Sequence, residues 1–144
     1  MGATAAAECA CFPLDQTVLK IFERWVAKLN FRQDYPGKVL LALLRHEEDV
    51  LSLRAEELEE LWEAAGVVRD AVDRVLRPDW WNYMFAGNVV PHVHLHMIPR
   101  YATPRNVAGW QFRDGHWGRM HARQEEPPTS AFSWILESVK GALG

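Results

Sequence analysis

The clearest alternation of apolar and polar positions lies in residues 91–100 (PHVHLHMIPR). A period of two is typical of a β-strand with two different faces. One face is expected to point into a core with three apolar side chains: Val93, Leu95 and Met97. The other carries three histidines in a row, spaced about 6.6 Å apart: His92, His94 and His96. Three imidazoles in register indicate a site that handles protons, phosphate or metal.

The segments before this strand alternate between strand and turn patterns. Residues 17–30 are rich in β-branched and aromatic side chains and predict one or two strands, with a break near residues 23–24. Residues 35–37 (YPG) predict a turn. The apolar run 38–44 (KVLLALL) has the length of a strand. A short connection between two such strands favours an antiparallel hairpin.

A long amphipathic helix is predicted from about residue 53 to residue 77. Ser52 is the candidate N-cap, and Pro78 ends the helix. Apolar side chains recur at helical spacing between these limits: Leu58, Leu61, Trp62, Ala65, Val68, Val72, Val75 and Leu76. Four glutamates in the first turns favour the positive end of the helix dipole: Glu56, Glu57, Glu59 and Glu60. We interpret them as a solvated face rather than as acid–base machinery.

The second half of the chain predicts two more ordered elements. Residues 80–86 (WWNYMFA) form an aromatic strand, which Gly87 and Asn88 end before the histidine strand. Residues 101–128 have no regular pattern, and residues 130–143 predict a short amphipathic helix. The fold class is therefore α+β, with a mostly antiparallel sheet of about five strands, one long helix and a C-terminal helix.

Composition narrows the organisation and the partners. With 144 residues and 49% hydrophobic side chains, residues 1–144 fit one domain, with a flexible start at residues 1–12 and a variable C-terminal extension at residues 101–144. A net charge of −3 provides no global field for nucleic acid or an anionic membrane, so a phosphate site must be local. No apolar run approaches the roughly 20 residues of a membrane span.

The two cysteines bear on compartment and metal. Cys9 and Cys11 are separated by one residue, which is a poor geometry for a disulfide, and we expect a cytoplasmic location. A second interpretation is half of a zinc site with histidines as the other ligands. Zinc pairs usually have two to four intervening residues, so we favour ordinary thiols and give zinc the lower weight.

The histidine row and its surroundings resemble the histidine triad (HIT) family of nucleotide hydrolases and transferases. Residues 92–98 meet the pattern His-φ-His-φ-His-φ-φ, in which φ is apolar. Residues 30–37 (NFRQDYPG) resemble the family's Asn-containing segment that ends in Pro-Gly. Three further matches follow in the same order: residues 45–46 (RH), residues 87–88 (GN) and residues 98–100 (IPR). The resemblance covers about residues 17–105 and implies a HIT-like fold.

The resemblance implies a covalent reaction on the α-phosphate of a nucleotide. A neutral imidazole has a pKa of about 6.5 and is a good nucleophile near neutral pH. His94 would attack phosphorus, His96 would donate to a phosphate or leaving-group oxygen, and His92 would support them together with His46. The implied substrates are dinucleoside polyphosphates or nucleoside phosphoramidates, and the implied assembly is a homodimer.

The resemblance also assigns substrate contacts, with two departures. Asn30 would reach ribose or phosphate, and apolar residues near Phe31 would cover the base. Gly87 and Asn88 belong to the substrate-binding loop, although Asn88 is shorter than the family's usual glutamine. Lys38 replaces a histidine that often follows Pro-Gly. Two arginines are candidates for distal phosphates: Arg100 and Arg105.

Alternatives remain open for the site and for the aromatic segment 110–118. A nucleotide-binding module with little catalysis would keep the same motif. A metal-dependent enzyme would use the histidine row as ligands, but no Asp or Glu lies in that strand to complete the set. The covalent step requires no cofactor, and magnesium would enter with a polyphosphate substrate. Segment 110–118 is interpreted as packing, with a wall over the second half of a dinucleotide as the alternative. His116 and His121 are expected in exposed loops.

Overall fold

The histidine-bearing strand lies inside a five-stranded sheet. The structure is a computed structural model that describes residues 11–144. Its five strands are β1 (Val18–Ile21), β2 (Trp25–Leu29), β3 (Val39–Leu43), β4 (Trp80–Phe85) and β5 (His94–Arg100). They are ordered β1-β2-β3-β5-β4, and every neighbouring pair is antiparallel. The predicted α+β class and the sheet of about five strands are confirmed.

The turn between β2 and β3 has the predicted Pro-Gly geometry. Gly37 has a φ of +90°, and a Cβ there would lie 2.7 Å from Val72 Cγ1, so both the backbone and the space require glycine. The buried Gln33 amide donates to the carbonyls of Asn30 and Lys38, and its oxygen accepts from the Gly37 N–H at 2.8 Å. These bonds hold the hairpin in the register that aligns β3 with β5.

The long helix, α1 (Ala55–Leu76), begins two residues later than predicted. Ser52 is not its cap, because it belongs to a 3-10 turn at Val50–Ser52. The helix N-cap is Arg54, whose backbone N–H donates to the Glu57 carboxylate at 2.8 Å. The helix ends at Arg77 in the left-handed conformation, immediately before the predicted stop at Pro78.

The glutamates of α1 are not all solvated, so that interpretation was wrong. Glu57 is buried and accepts two hydrogen bonds from the Arg45 guanidinium, at 2.7 and 2.9 Å. Glu60 accepts from the backbone N–H and the guanidinium of Arg24. Both carboxylates therefore fasten α1 to the sheet, since a buried charge of this kind requires a partner.

The C-terminal third belongs to the core rather than extending from it. A two-stranded sheet, β6 (Arg105–Val107) and β7 (Trp110–Phe112), lies in the region predicted to be irregular. The C-terminal helix, α2 (Thr129–Ala142), is confirmed. Both elements bury apolar side chains in the same cluster as α1: Val107, Trp110, Phe112, Ala131, Ile135 and Val139.

The main sheet has one face for the core and one for the histidines. Leu41 and Leu95 pack with α1 in the main core cluster, as the alternation predicts. Ala42 and His94, paired across the strands, point to the opposite face. Within residues 11–144, neither helix combines the length and the apolar character needed to cross a membrane.

Candidate active site

The triad face is formed where β5 runs between β3 and β4. Ala42 lies opposite His94, while Leu40 and Met84 flank His96 on its two sides. The rings of His94 and His96 are 4.6 Å apart between centroids, so one small anionic group can contact both.

His94 is oriented by a backbone carbonyl. Its Nδ1 lies 2.6 Å from the carbonyl oxygen of His92. Because a carbonyl oxygen only accepts, Nδ1 carries the proton and Nε2 carries the lone pair. This is the geometry expected of a nucleophilic imidazole, in which one ring nitrogen is held and the other is available.

His96 is a neutral imidazole at pH 7. Burial lowers its pKa to about 4, and the nearby charges of His94, Lys38 and His121 act in the same direction. A neutral imidazole still has one N–H to donate to a phosphate or leaving-group oxygen. A bound phosphate would raise the pKa, because its negative charge favours the protonated ring.

His92 precedes the regular strand and faces a different group of residues. It is buried, and its Nε2 donates to the carbonyl oxygen of Leu43 at 2.7 Å. Burial lowers the pKa of His92, against the opposing effect of the Leu43 hydrogen bond. Its Nδ1, which has the lone pair, lies 3.1 Å from Nδ1 of His46. His92 thus supports His94 through its backbone carbonyl and contacts His46 through its ring.

The segment before β1 covers the triad face. The Phe12 ring lies 4.6 Å from the His94 ring and 5.6 Å from the His92 ring, between centroids. Lys28 fastens this segment by donating to the carbonyl of Pro13 and pairing with Asp15 at 3.4 Å. Phe12, from the predicted flexible start at residues 1–12, thus contacts the triad, while residues 1–10 lie outside the described residues.

One group of side chains in the described part of the chain has the geometry of a metal site. The ligand atoms of Cys11, His46 and His92 all lie within 4.8 Å of one another. Cys11 Sγ is 3.9 Å from His46 Nδ1. Sulfur and imidazole nitrogen are the donors that zinc prefers. Of the three triad histidines, only His92 belongs to this group of candidate ligands. The metal-dependent alternative in the sequence analysis had taken the triad histidines together as the ligands.

The predicted substrate contacts lie at the two ends of the triad face. At the β2–β3 end, the Asn30 side-chain oxygen accepts from the Arg32 N–H at 2.9 Å, as a turn residue does, and Phe31 is 76% exposed. At the other end, Gly87 has a positive φ, and Asn88 is exposed in the loop before His92. The exposed Phe31 ring and Asn88 amide are therefore accessible to a ligand.

Arg100 does not fit its predicted role in binding distal phosphates. It is buried, and its guanidinium donates bidentately to Asp114 at 2.8 and 3.1 Å. The remaining N–H groups donate to Asn82 and to the carbonyls of Arg119 and His116. Every donor of this side chain is therefore satisfied within the protein.

Arg105 is also engaged in structure. It donates to the Asp79 carboxylate at 3.0 Å and to carbonyl oxygens of Thr103 and Arg77. These contacts tie the start of β6 to the end of α1. Phosphate binding by Arg105 is not supported, because the side chain lies against these acceptors.

Sequence reasoning missed His121, which it placed in an exposed loop. The ring is half-buried and packs edge-on against Tyr35, 5.9 Å away between centroids. The charge of His121 contributes to the lowered pKa of His96. The pKa of His121 itself is lowered, mainly by burial and then by the nearby charges of Lys38 and Arg100. Nothing in the surrounding loop has a periodic pattern, so the placement depends on contacts between residues far apart in the chain.

Comparisons with known proteins match a family model and two curated relatives to parts of this chain. The model of the HIT domain family matches residues 13–103. The chain is 30% identical over 94 residues to the asymmetrical bis(5'-nucleosyl)-tetraphosphatase of Schizosaccharomyces pombe, covering 62% of this chain and 52% of that protein. It is 33% identical over 79 residues to the bis(5'-adenosyl)-triphosphatase of Dictyostelium discoideum, covering 51% of this chain and 53% of that protein. The chain thus spans about half the length of these relatives.

A solved structure extends the likeness in fold to nearly the whole chain. A zinc-bound histidine triad family protein from Mycobacterium smegmatis superposes with a TM-score of 0.64 at 19% identity. The match covers 99% of this chain and 90% of that one. At this identity the likeness concerns the fold alone.

Proposed function

This chain belongs to the HIT domain family, and from that premise we propose that it is a nucleotide hydrolase or nucleotidyl transferase with His94 as covalent nucleophile. The substrates are dinucleoside polyphosphates or nucleoside phosphoramidates, cleaved at the α-phosphorus. The two curated relatives support the hydrolase assignment, since their names describe hydrolysis of dinucleoside polyphosphates.

The reaction takes place in two displacements. The His94 Nε2 lone pair forms a bond to the α-phosphorus, and the P–O or P–N bond to the leaving group breaks. The electron pair of that bond goes to the leaving oxygen or nitrogen, which takes a proton from water or from the imidazolium form of His96 that a bound phosphate favours. Water then attacks phosphorus and gives its proton to His96 or to bulk water, the N–P bond breaks with its electron pair returning to His94 Nε2, and the nucleoside monophosphate leaves. In a transferase, another nucleophile replaces that water.

One observation carries this proposal. The short Nδ1 contact of His94 with the His92 carbonyl supports Nε2 as the nucleophile and would stabilise the positive ring of the adduct. The rest of the substrate lies along the triad face. Phe31 covers the base, Asn30 faces ribose, and Gly87 and Asn88 border the phosphates.

The substitution His94→Ala tests the nucleophile. It is expected to lower kcat for diadenosine tetraphosphate by at least about a thousandfold, because no other group can form the adduct. The comparison variant is His116→Ala, which removes an imidazole outside the triad face. The assignment is wrong if His94→Ala keeps wild-type turnover with a wild-type thermal unfolding profile.

Adduct trapping separates an enzyme from a nucleotide-binding module. Acid-labile nucleotidylation of the wild-type chain, seen by mass spectrometry after rapid quenching, supports catalysis. A chain that binds nucleotides with neither an adduct nor a product is a binding module instead.

A second proposal concerns metal: Cys11, His46 and His92 hold a structural zinc ion. Cys9, the other cysteine of the predicted half-site, lies outside the described residues. The donor atoms fit, because two nitrogens 3.1 Å apart and a sulfur 3.9 Å from one of them suit a tetrahedral ion. The histidine triad family protein from Mycobacterium smegmatis that shares this fold is itself described as zinc-bound. A zinc ion would tie the segment before β1 to the triad face.

We also propose a homodimer that pairs through α1 and an edge strand of the sheet. Its support is apolar surface on α1, where Leu58 and Trp62, one turn apart on the same face, are exposed by 40% and 63%. Large exposed apolar groups on one helix are typical of an interaction surface. The sheet is open, so β1 and β4 both present edges.

A further inference from the structure

A large aromatic cavity lies beside the triad, and the proposed reaction has not used it. It has a volume of about 820 Å³, within the range of small-molecule sites. Aromatic and apolar side chains of β4 and of segment 117–121 form most of its wall: Trp80, Trp81, Tyr83, Trp117, Met120 and His121.

The cavity is continuous with the His96 end of the triad face. Met84 lines it and is the cross-strand partner of His96. Ile98 lines it too, and on a strand it lies on the same face as His96. A group leaving the α-phosphorus next to His94 and His96 can therefore extend directly into this cavity.

The wall chemistry matches a nucleoside attached to phosphate. Indole and phenol rings bind a base by stacking on its face, with little preference among bases. Arg119 and His121 line the same cavity and offer N–H donors to phosphate oxygens. The guanidinium of Arg100, also in this wall, is already paired with Asp114. Arg119 and His121 are therefore the expected contacts for the phosphates.

We infer that this cavity holds the leaving nucleotide of a dinucleoside polyphosphate, with its base stacked against Trp117. The inference rests on the proposed function and narrows its substrate class. A phosphoramidate with a small leaving amine reacts at the same triad but has nothing to place in the cavity. The ratio of activities on the two substrates therefore tests whether the cavity binds the leaving nucleotide. Activity on either substrate tests the triad.

The test compares kcat/KM for diadenosine tetraphosphate with kcat/KM for adenosine 5'-phosphoramidate. In Trp117→Ala, the ratio of the two values is expected to fall about tenfold, which corresponds to about 1.4 kcal/mol. The matched control is Trp134→Ala, because Trp134 is exposed by 40%, against 45% for Trp117, and lies on α2 outside the cavity. Trp117→Phe, which keeps a ring, is expected to recover most of the ratio.

A binding measurement makes the outcome independent of turnover. On a His94→Ala background, calorimetry compares the Kd for diadenosine tetraphosphate with the Kd for AMP. Adding Trp117→Ala is expected to weaken dinucleotide binding about tenfold more than AMP binding. Met120→Ala, on an exposed side chain of the same wall, provides a second variant if Trp117→Ala folds poorly.

Three results would overturn the inference: an unchanged ratio in both cavity variants, an equal fall in Trp134→Ala, or a shift in oligomeric state together with equal losses on both substrates. The third would assign the cavity to a second copy of this chain. Failure of the proposed function looks different. It is an absence of His94-dependent turnover with both substrates, and the calorimetric comparison then still decides whether the cavity binds a second nucleotide.

Discussion

At the scale of single residues, the imidazoles of His92 and His94 are oriented in opposite senses. His94 gives Nδ1 to a backbone carbonyl and presents Nε2, whereas His92 gives Nε2 to a carbonyl and presents Nδ1. Nε2 of His94 is therefore the nitrogen assigned to the substrate in the proposed reaction. Nδ1 of His92 is directed to His46 and the adjoining Cys11. Two residues with the same side chain and neighbouring positions thus serve two different sites.

Zinc content tests the second of these sites. The purified wild-type chain is expected to contain about one zinc ion per chain, and Cys11→Ser to lose most of it, since the hydroxyl is a much poorer zinc ligand than thiolate. Elemental analysis after dialysis against metal-free buffer measures both. His116→Ala is the control and should retain the ion. Wild-type protein that stays free of zinc after expression in zinc-supplemented medium would rule the site out.

The sequence was informative about residues whose role depends on near neighbours. The alternation around His94 indicates a two-faced strand, and the family motif then proposes an attacking nitrogen. Arg100 shows the opposite case, because its partner Asp114 lies fourteen residues later in a segment without periodicity. His121 was missed for the same reason. A role that depends on a distant partner leaves no trace in the local pattern.

At the scale of elements, the buried Arg100–Asp114 pair organises the segment that forms one wall of the cavity. Asp114 also accepts from the backbone N–H groups of Tyr101 and His116. Burial on its own would raise the pKa of Asp114, but these hydrogen bonds and Arg100 outweigh it and hold the pKa below its usual value. The ionised carboxylate is therefore part of the fold.

Asp114→Asn is expected to destabilise the protein at pH 7 by about 3 kcal/mol, because it leaves the buried Arg100 charge unpaired. Urea unfolding followed by circular dichroism measures the loss. The matched control is Asp70→Asn at an exposed ion pair with Arg69, where about 0.5 kcal/mol or less is expected.

The pH dependence follows from the direction of the pKa shift. A carboxyl whose pKa is depressed in the folded state adds stability above its unfolded pKa of about 3.9, and this is lost as pH falls through the folded value. The gap in stability between wild type and Asp114→Asn should therefore be largest near neutral pH and shrink below about pH 4. A gap that widens on acidification would contradict the role of the ionised carboxylate.

Elements with a strong period were predictable, and elements set by tertiary contacts were not. The strands of the sheet, the turn at Gly37 and both helices follow from patterns in their own segments. The hairpin of β6 and β7 has three residues per strand, too few to show an alternation. Glu57 resembles a solvated first-turn glutamate until Arg45, twelve residues earlier, is placed beside it.

At the scale of the whole molecule, the histidine face of β5 also has a structural part, because Ile98 joins the main core cluster and Arg100 pairs with Asp114. Both helices contribute to that core cluster, while Phe12 and Met84 lie beside the histidine row. Assembly through α1 would leave that row accessible to substrate. The proposed dimer is therefore compatible with the proposed reaction.

Sedimentation equilibrium at micromolar concentration tests the dimer. The wild-type chain is expected at twice its 16.5 kDa mass, and Trp62→Glu is expected to shift it toward monomer by placing a charge in the apolar contact. Leu51→Glu, at a side chain that is 92% exposed and outside α1, is the control. A wild-type chain that sediments as a monomer at this concentration rules the dimer out.

The alternation in β5 also has a consequence for how the chain tolerates change. In the proposed reaction, positions 94 and 96 are constrained by chemistry, since their side chains meet substrate, while positions 95 and 97 are constrained by packing beneath α1. Loss at the first pair would leave a folded but inactive protein, and loss at the second would reduce the amount of folded protein. Adjacent codons of one strand are thus subject to two independent selections, one for turnover and one for abundance.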